Sequence, residues 1–166
     1  MSLAIVAAID VKTGAIGAGN KLPWVIPEDL KRFRRITIGQ AVIMGMKTYR
    51  SLNSKPLGGR FNIVMTKRPY ETKSKSVVMV GSLREAIAVC YRDHDRGYVI
   101  GGTQIYKQTM PLIDKMYLTL VNRKEEEREG DDAYFPGYPD YIQKNFHTIE
   151  QEPGGENFSY LTLERN

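Results

Sequence analysis

Eight short segments rich in β-branched and aromatic residues most limit how this chain can fold, because each is typical of a β-strand. They lie at residues 3–9, 40–45, 61–66, 76–80, 98–102, 116–121, 146–152 and 158–164. Apolar residues at helical spacing predict helices at 27–37, 47–52, 83–92 and 103–112. This order predicts an α/β fold with a mainly parallel eight-stranded sheet, four flanking helices and a C-terminal antiparallel hairpin.

The length of the chain, 166 residues, is typical of one compact domain. Since no repeat or linker divides the sequence, we expect a single domain over residues 1–166. No apolar run approaches the ~20 residues of a membrane-spanning helix, and residues 1–12 lack the basic leader of a signal peptide. We therefore expect a cytoplasmic protein without a membrane partner, and a monomer because no apolar surface stripe is evident.

The scarcity of histidine and cysteine excludes several kinds of catalytic site. The chain has one cysteine and two histidines, His94 and His147, which lie far apart in sequence. We therefore expect no zinc site, no serine–histidine catalysis and no internal disulfide. Cys90 falls on the apolar face of the helix predicted at 83–92, which indicates a buried thiol. The acidic segment 125–132 has no apolar period and predicts a solvated turn rather than a metal site.

An acidic residue lies among apolar positions at the start of the first predicted helix. The apolar stripe of this helix consists of Ile26, Leu30, Phe33 and Ile36. At about 100° per residue, Asp29 falls inside that stripe. The basic residues predicted to point outward are Lys31, Arg32, Arg34 and Arg35. Asp29 either caps the free N–H groups of the first turn or is a buried acid directed at a ligand, with a pKa above the usual value of about 3.9. The spacing is compatible with both.

Three predicted strands run into loops of similar chemistry. The loops are Gly101-Gly102-Thr103, Met46-Lys47-Thr48 and Thr66-Lys67-Arg68. Because the carboxyl ends of parallel strands meet at one edge of a sheet, we expect these loops to lie together. Bare backbone N–H groups, hydroxyls and cations suit a polyanionic ligand such as a phosphate. Each loop alone is equally compatible with a tight turn and solvated lysines, but the three together favour the ligand.

The glycines at residues 14–19 are similar to a dinucleotide-binding fingerprint but do not match it. Their order is G-x-x-G-x-G, and no helical pattern follows. A Rossmann assignment is therefore not supported. We interpret these glycines as a mobile loop that closes over the site and excludes water.

Five groups of residues resemble the dihydrofolate reductase family. They are Ile16-Gly17 with Asn20 and Pro23-Trp24; Pro27 with Asp29-Leu30 and Phe33; Val42-Ile43-Met44-Gly45 with Thr48; Gly59-Arg60 with Asn62; and Val99-Ile100-Gly101-Gly102 with Tyr106. Their order and spacing hold from the first strand to about Phe135 and Pro136, so the resemblance covers most of the chain. The combination of a tryptophan loop, a proline-acid helix and a Gly-Gly turn is specific, whereas each part alone is not.

The resemblance implies hydride transfer from NADPH to 7,8-dihydrofolate, which gives 5,6,7,8-tetrahydrofolate and supports thymidylate and one-carbon metabolism. By similarity, Asp29 binds the pterin and favours its protonation, and Thr119 holds Asp29 in place. Tyr106 lies near the nicotinamide and the pterin, while Leu22 and Trp24 belong to the closing loop. The positions that match the substrate site are Val6, Ala8, Asp29, Leu30, Phe33, Ser51, Leu52, Leu57, Arg60, Ile100 and Thr119. Among them, Arg60 matches the arginine that binds the carboxylate of the glutamate tail.

The resemblance also implies the cofactor site. The matching positions are Ala8, Ile16, Gly17, Asn20, Lys21, Leu22, Gly45, Met46, Lys47, Thr48, Met65, Thr66, Lys67, Ile100, Gly101, Gly102, Thr103, Gln104, Ile105 and Tyr106. This sequence departs from a common family pattern, since Met46 stands where an arginine is frequent and Lys67 where a serine or arginine is usual. Lys47 and Lys67 can still neutralise a 2′-phosphate, so NADPH is preferred over NADH. The loop at 53–55 is one residue longer than in compact relatives.

Other functions compete with this one. A pyrimidine reductase of riboflavin synthesis shares the fold, but Asp29 and Arg60 argue against it. A non-catalytic module would bind NADPH without turning over dihydrofolate. The net charge of +5 is also compatible with nucleic-acid binding, yet the sequence has no RNP-type motif or zinc-finger spacing. We therefore expect small-molecule ligands, including antifolate inhibitors, and no nucleic-acid partner.

Overall fold

All eight predicted strands occur in the computed structural model, which describes residues 1–166. They form one sheet and are β1 Ser2–Asp10, β3 Ala41–Gly45, β4 Phe61–Met65, β5 Val77–Val80, β6 Arg96–Gly101, β7 Ile113–Val121, β9 Phe146–Gly155 and β10 Phe158–Arg165. Two further strands, β2 Ala15–Gly17 and β8 Ala133–Tyr134, pair with each other outside this sheet. Strands of three and two residues are too short to show an alternating pattern, so the sequence did not predict them.

The strand order of the large sheet is β5-β4-β3-β6-β1-β7-β10-β9. The strands from β5 to β7 in that order are parallel, whereas β10 pairs antiparallel with both β7 and β9. The predicted parallel sheet with a C-terminal antiparallel hairpin is confirmed. Because the parallel strands run in the same direction, the loops that follow them lie along one edge of the sheet.

Five helices accompany the strands: α1 Pro27–Thr37, α2 Met46–Ser51, α3 Leu83–Asp93, α4 Thr103–Thr109 and α5 Asp140–Asn145. The four predicted helices are present, and the expected number was one too few. Helix α5 has only six residues, which is too short to show an apolar period. The helix predicted at 103–112 ends at Thr109, because Met110–Leu112 forms a 3-10 turn. None of the helices has the length and apolar character that crossing a membrane requires.

Apolar residues pack on both faces of the sheet. Successive residues of β1 point to opposite faces of the sheet. Ile5 accordingly belongs to a core cluster of 22 buried residues, which also contains Cys90 of α3, whereas Val6 belongs to a second cluster of 9. Cys90 is therefore buried, as predicted. Phe33 of α1 packs against the smaller cluster, which places α1 on that face of the sheet.

Helix α1 begins at Pro27, because the first helical position does not need an N–H donor. Acidic residues in its first turn and basic residues in its last turn complement the helix dipole. The prediction that Arg32 points into solvent is wrong, since this residue is only 6% exposed. Its guanidinium carbon lies 4.4 Å from the centre of the Tyr160 ring on β10. A planar guanidinium stacks well on an aromatic ring, and helical periodicity does not reveal such a partner.

Candidate active site

Asp29 lies in the first turn of α1, and its side chain faces the sheet. Its Oδ1 atom accepts a hydrogen bond of 2.5 Å from the hydroxyl of Thr119 on β7, and Thr119 is buried. The N-cap residue of α1 is Ile26, and no side chain caps the helix. The capping interpretation of Asp29 is therefore wrong, and the carboxylate is directed away from bulk solvent toward the sheet.

The surroundings of Asp29 favour its neutral form more than water does. Burial raises the pKa of the Asp29 carboxyl, while the hydrogen bond from Thr119 and the positive charge of Arg32 lower it, and the net shift is upward. A carboxyl group with a raised pKa exchanges its proton closer to neutral pH. General acid–base chemistry depends on this property.

The apolar residues predicted for the substrate site lie on the α1 side of the sheet. Four of them are half-buried and pack on the smaller core cluster: Phe33, Leu52, Leu57 and Ile100. Val6 of β1 belongs to that cluster, and Ala8 is the register partner of Thr119. Leu30 is 52% exposed, and Ser51 is exposed at the end of α2. Strand β1 and helix α1 therefore bring an apolar surface next to the Asp29–Thr119 pair.

Arg60 is a buried cation without an anionic partner in the protein. Its Nε donates to the Gly58 carbonyl at 2.9 Å, and its Nη1 donates to the Thr37 hydroxyl at 3.2 Å. None of the ion pairs of the chain includes it. Burial lowers the pKa of Arg60, and the nearby charge of Arg34 lowers it further. An incoming carboxylate opposes both effects, so this position is suited to bind one.

Tyr106 of α4 is buried and holds the helix against β1. Its hydroxyl donates to the Val6 carbonyl at 3.1 Å, and burial raises the pKa of this phenol above its usual range. The hydroxyl therefore stays neutral and serves to position the strand. Gly101 precedes α4 with a φ of 120°, and a Cβ at Gly101 would lie 3.2 Å from the Tyr106 oxygen. Only glycine fits this backbone conformation easily.

The three loops predicted to form an anion site lie side by side. Gly45 at the end of β3 is the register partner of Met65 on β4, and Met44 is the partner of Gly101 on β6. A Cβ at Gly102 would lie 3.6 Å from the Thr48 hydroxyl. Four residues at these strand ends are exposed, namely Lys47, Lys67, Arg68 and Gln104. Five are half-buried, namely Met46, Thr48, Thr66, Gly102 and Thr103. Ile105 is buried behind the Gly-Gly turn.

The loop that precedes α1 is tied to β8 and to the segment before it. Ile16 and Gly17 lie in β2, and the Gly19 N–H donates to Asp132 at 3.1 Å. Asn20 has a φ of 63°. Lys21 and Leu22 are exposed, whereas Trp24 is half-buried and its ring centre lies 5.0 Å from the Arg123 guanidinium carbon. This loop thus connects the predicted cofactor positions to the start of α1. Its mobility stays a prediction.

A buried charge cluster near this loop was not predicted. Asp10, at the end of β1, accepts hydrogen bonds from Arg123 at 2.8 Å and from Arg128 at 2.9 Å. Arg123 also pairs with Asp131, whose side chain is 4% exposed. The prediction of a solvated turn at 125–132 is therefore wrong for Arg128 and Asp131, although Glu125 is exposed. The one basic residue in this acidic segment, Arg128, was a signal, but its partner Asp10 on β1 is remote in sequence.

Known proteins match this chain along nearly its whole length. The sequence model described as dihydrofolate reductase matches residues 2–165. Dihydrofolate reductase type 3 of Salmonella typhimurium is 32% identical over 171 residues, which cover 99% of each chain. A dihydrofolate reductase of Neisseria meningitidis is 39% identical over 145 residues, which cover 87% of this chain and 86% of its own.

A solved structure supports the same assignment. A dihydrofolate reductase from Enterococcus faecalis, complexed with NADP(H) and RAB-propyl, matches with a TM-score of 0.86 and 29% identity. The match covers 99% of this chain and 96% of that one. Sequence and fold agree from the first strand to the last, and this chain belongs to the dihydrofolate reductase family.

Proposed function

We propose that this protein transfers a hydride from NADPH to 7,8-dihydrofolate and produces 5,6,7,8-tetrahydrofolate, which supports thymidylate and one-carbon metabolism. The observation that carries this function is the half-buried Asp29 carboxyl, oriented by Thr119 beside an apolar surface. When it is bound, NADPH supplies the hydride. The protein supplies the binding surfaces, the orientation of the ring and control of the proton.

Asp29 binds the amino group and a ring nitrogen of the pterin and favours protonation at the double bond that is reduced. Positive charge develops on the ring as the proton arrives. A carboxylate that Thr119 already holds in place stabilises this charge without reorganising. Because burial raises the pKa of Asp29, proton exchange at this site occurs closer to neutral pH.

Arg60 binds the carboxylate of the glutamate tail. Its guanidinium is held by Gly58 and Thr37 and lies 5.8 Å from the Phe33 ring centre. These contacts fix the orientation of the group but leave its charge without a protein partner. A bidentate pair with a carboxylate is the contact for which a fixed guanidinium is best suited.

The residues at the strand ends fit NADPH. The absence of a Cβ at Gly101 and Gly102 lets the backbone approach a pyrophosphate closely. Lys47 and Lys67 are exposed on neighbouring loops and would hold the 2′-phosphate as point charges. Met46 adds no charge there, so the preference for NADPH over NADH depends on the two lysines.

The same family pattern supports several broader proposals. Residues 1–166 form one domain that acts as a monomer in the cytoplasm. Antifolate inhibitors bind in the substrate site and compete with dihydrofolate. Nucleic acids and membranes are not partners of this protein.

The variant Asp29→Asn tests the proposed function directly. We expect it to fold and to bind NADPH, but to lose hydride transfer by roughly 10²- to 10⁴-fold at neutral pH, because a neutral amide cannot stabilise a protonated pterin. The measurement is the loss of NADPH absorbance with dihydrofolate present. The exposed acid Asp93 provides the control variant Asp93→Asn, which should keep wild-type turnover. Near-normal turnover by Asp29→Asn contradicts the proposed role, and wild-type protein that binds NADPH without turnover is a non-catalytic module.

The variant Arg60→Leu tests the substrate contact. Removal of a charge-assisted hydrogen bond costs about 1.5–3 kcal/mol, so we expect dihydrofolate to bind roughly 10- to 100-fold more weakly. NADPH affinity should stay unchanged, as should both affinities of the exposed control Arg84→Leu. Equal losses of both affinities in Arg60→Leu would show that the contact is misassigned.

A further inference from the structure

Arg32 is a buried cation that the proposed reaction does not use. The residue is 6% exposed, and its guanidinium carbon lies 4.4 Å from the ring centre of Tyr160 and 6.0 Å from that of Tyr117. It takes part in none of the ion pairs of the chain. Aromatic faces attract a guanidinium, but they do not neutralise its charge. A full positive charge is therefore fixed between α1 and the sheet.

Asp29 and Arg32 face the same part of the sheet. They are three residues apart on α1, a spacing that places two side chains on one side of a helix. Asp29 contacts Thr119 of β7, and Thr119 is the register partner of Tyr160, on which Arg32 stacks. The carboxyl and the guanidinium thus contact adjacent positions of the β7–β10 pair.

Arg32 is positively charged at neutral pH. Burial lowers the pKa of Arg32, while the charges of Asp29 and Glu152 raise it, and the net shift is downward. An arginine still keeps its proton, because its usual pKa lies above ~12. Water screens a buried charge weakly, so Arg32 acts on Asp29 through space without direct contact.

Other ionisable groups lie near Arg32, and the charged ones among them are more exposed than Asp29. Glu28 and Arg35 are exposed on α1, and Glu152 is exposed on β9. Tyr117 on β7 and Tyr160 on β10 are the rings that contact the guanidinium, and burial raises the pKa of the Tyr160 phenol. Solvent screens the exposed charges. Asp29 is therefore the acid whose charge Arg32 influences most.

We propose that Arg32 is a positioning residue of the reaction, a fixed positive charge that favours the carboxylate form of Asp29 and thereby sets the upper pH limit of dihydrofolate reduction. This inference rests on the proposed role of Asp29 in protonating the pterin. A proton shared by Asp29 and the pterin places additional positive charge close to the guanidinium. Arg32 therefore disfavours binding of that proton. As pH rises, hydride transfer declines at a lower pH than it would without the charge of Arg32.

Neutral variants of Arg32 test the inference. Arg32→Gln and Arg32→Met remove the charge, and the methionine keeps an unbranched side chain over Tyr160. Arg32→Lys retains the charge, and Lys31→Gln removes an exposed charge from the adjacent position as the matched control. The titration of Asp29 is followed through its carboxyl ¹³C shift in the protein without ligands, with Asp29→Asn as the assignment reference. Hydride transfer is measured in single-turnover experiments across the same pH range.

We expect Asp29 to titrate at higher pH in both neutral variants, because the charge that opposed its proton is gone. The alkaline limb of hydride transfer should move in the same direction and give roughly tenfold faster transfer above the wild-type midpoint. Arg32→Lys and Lys31→Gln should keep the wild-type titration and profile. A structural role of Arg32 alone would change stability but would leave the titration of Asp29 in place.

The two measurements separate the two proposals. An unchanged Asp29 titration in both neutral variants overturns the inference, whatever happens to the rates. If the titration of Asp29 moves but the pH profile of hydride transfer does not, Arg32 does not set the pH limit of the reaction. The same result shows that Asp29 does not control the proton of the reaction. Parallel movement of both supports the inference and the function on which it rests.

Discussion

Asp10 and Asp29 are two acids beside arginines in the same protein, but the protein supplies them with different numbers of hydrogen bonds. Asp10 is fully buried and accepts hydrogen bonds from four residues, Lys12, Thr13, Arg123 and Arg128. Asp29 is half-buried and accepts one, from Thr119. The first carboxylate has its bonding capacity filled by the fold, whereas the second keeps most of its capacity for a ligand.

The two pKa values shift in opposite directions for this reason. Burial alone would raise the pKa of Asp10, but the hydrogen bonds from the same four residues outweigh burial and lower it. At Asp29, burial outweighs the single hydrogen bond and the charge of Arg32, and the pKa is raised. A buried acid with all its donors stays ionised and contributes to stability. A buried acid with few donors can change its protonation state, as a reaction requires.

The variant Asp10→Asn should give the largest change in stability. It leaves Arg128 without a buried anion and weakens the network of Arg123, and breaking a buried pair costs about 3–5 kcal/mol. The free energy of unfolding is measured by urea denaturation at neutral pH. Asp93 pairs with Arg92 at the surface, so Asp93→Asn should change stability by less than about 1 kcal/mol. If Asp10→Asn lowers the free energy of unfolding as little as Asp93→Asn does, the buried charge cluster is not important for stability.

The fold was predictable where local sequence determines structure. Pro27 and the apolar stripe defined α1 at its observed bounds, and β-branched segments defined the eight strands of the sheet. Helix α5 and the β2–β8 pair were not predictable, because segments of two to six residues show no period. Their positions depend on tertiary contacts, such as the packing of Ile142 in the larger core cluster.

The candidate site was predictable only in part, because its contacts join remote segments. Family resemblance named both Asp29 and Thr119, but the hydrogen bond between them spans 90 residues, and spacing alone left the role of Asp29 open. Arg32 was predicted wrongly because a charged residue off the apolar stripe normally points into solvent. Its burial depends on Tyr160, at the other end of the chain.

The variant Thr119→Val sharpens the comparison, because it removes the one donor that Asp29 has. Valine keeps the shape of threonine, so the main loss is a hydrogen bond to a charged group, about 1.5–3 kcal/mol of unfolding free energy at neutral pH. The pKa of Asp29 should rise further, since the bond that lowers it is lost. Urea denaturation and the titration of Asp29 measure the two effects. Thr119→Ser restores a hydroxyl and should recover most of both; failure to recover either would mean that packing, not the hydrogen bond, is responsible.

The smallest expected effect is the most direct test, because the same substitution should act with opposite sign at the two acids. The folded-state pKa of Asp29 is raised, so its contribution to stability is full below the unfolded-state pKa and is lost as pH rises through the folded-state pKa. At neutral pH the folded protein therefore carries an unfavourable charge. Asp29→Asn removes that charge and keeps an acceptor for Thr119, so it should raise the unfolding free energy by less than about 1 kcal/mol.

The pH dependence of these two variants distinguishes the acids further. The gain in Asp29→Asn should shrink as pH falls, because protonation removes the same charge from the wild type. Asp10 has a lowered folded-state pKa, so its contribution is present above the unfolded-state pKa and is lost as pH falls through the folded-state value. The loss of unfolding free energy in Asp10→Asn should therefore become smaller at acidic pH. The two variants thus approach wild-type stability in acid, Asp29→Asn from above and Asp10→Asn from below. Urea denaturation at neutral and acidic pH measures both trends, and a loss of stability in Asp29→Asn at neutral pH would place Asp29 with Asp10 among the structural acids.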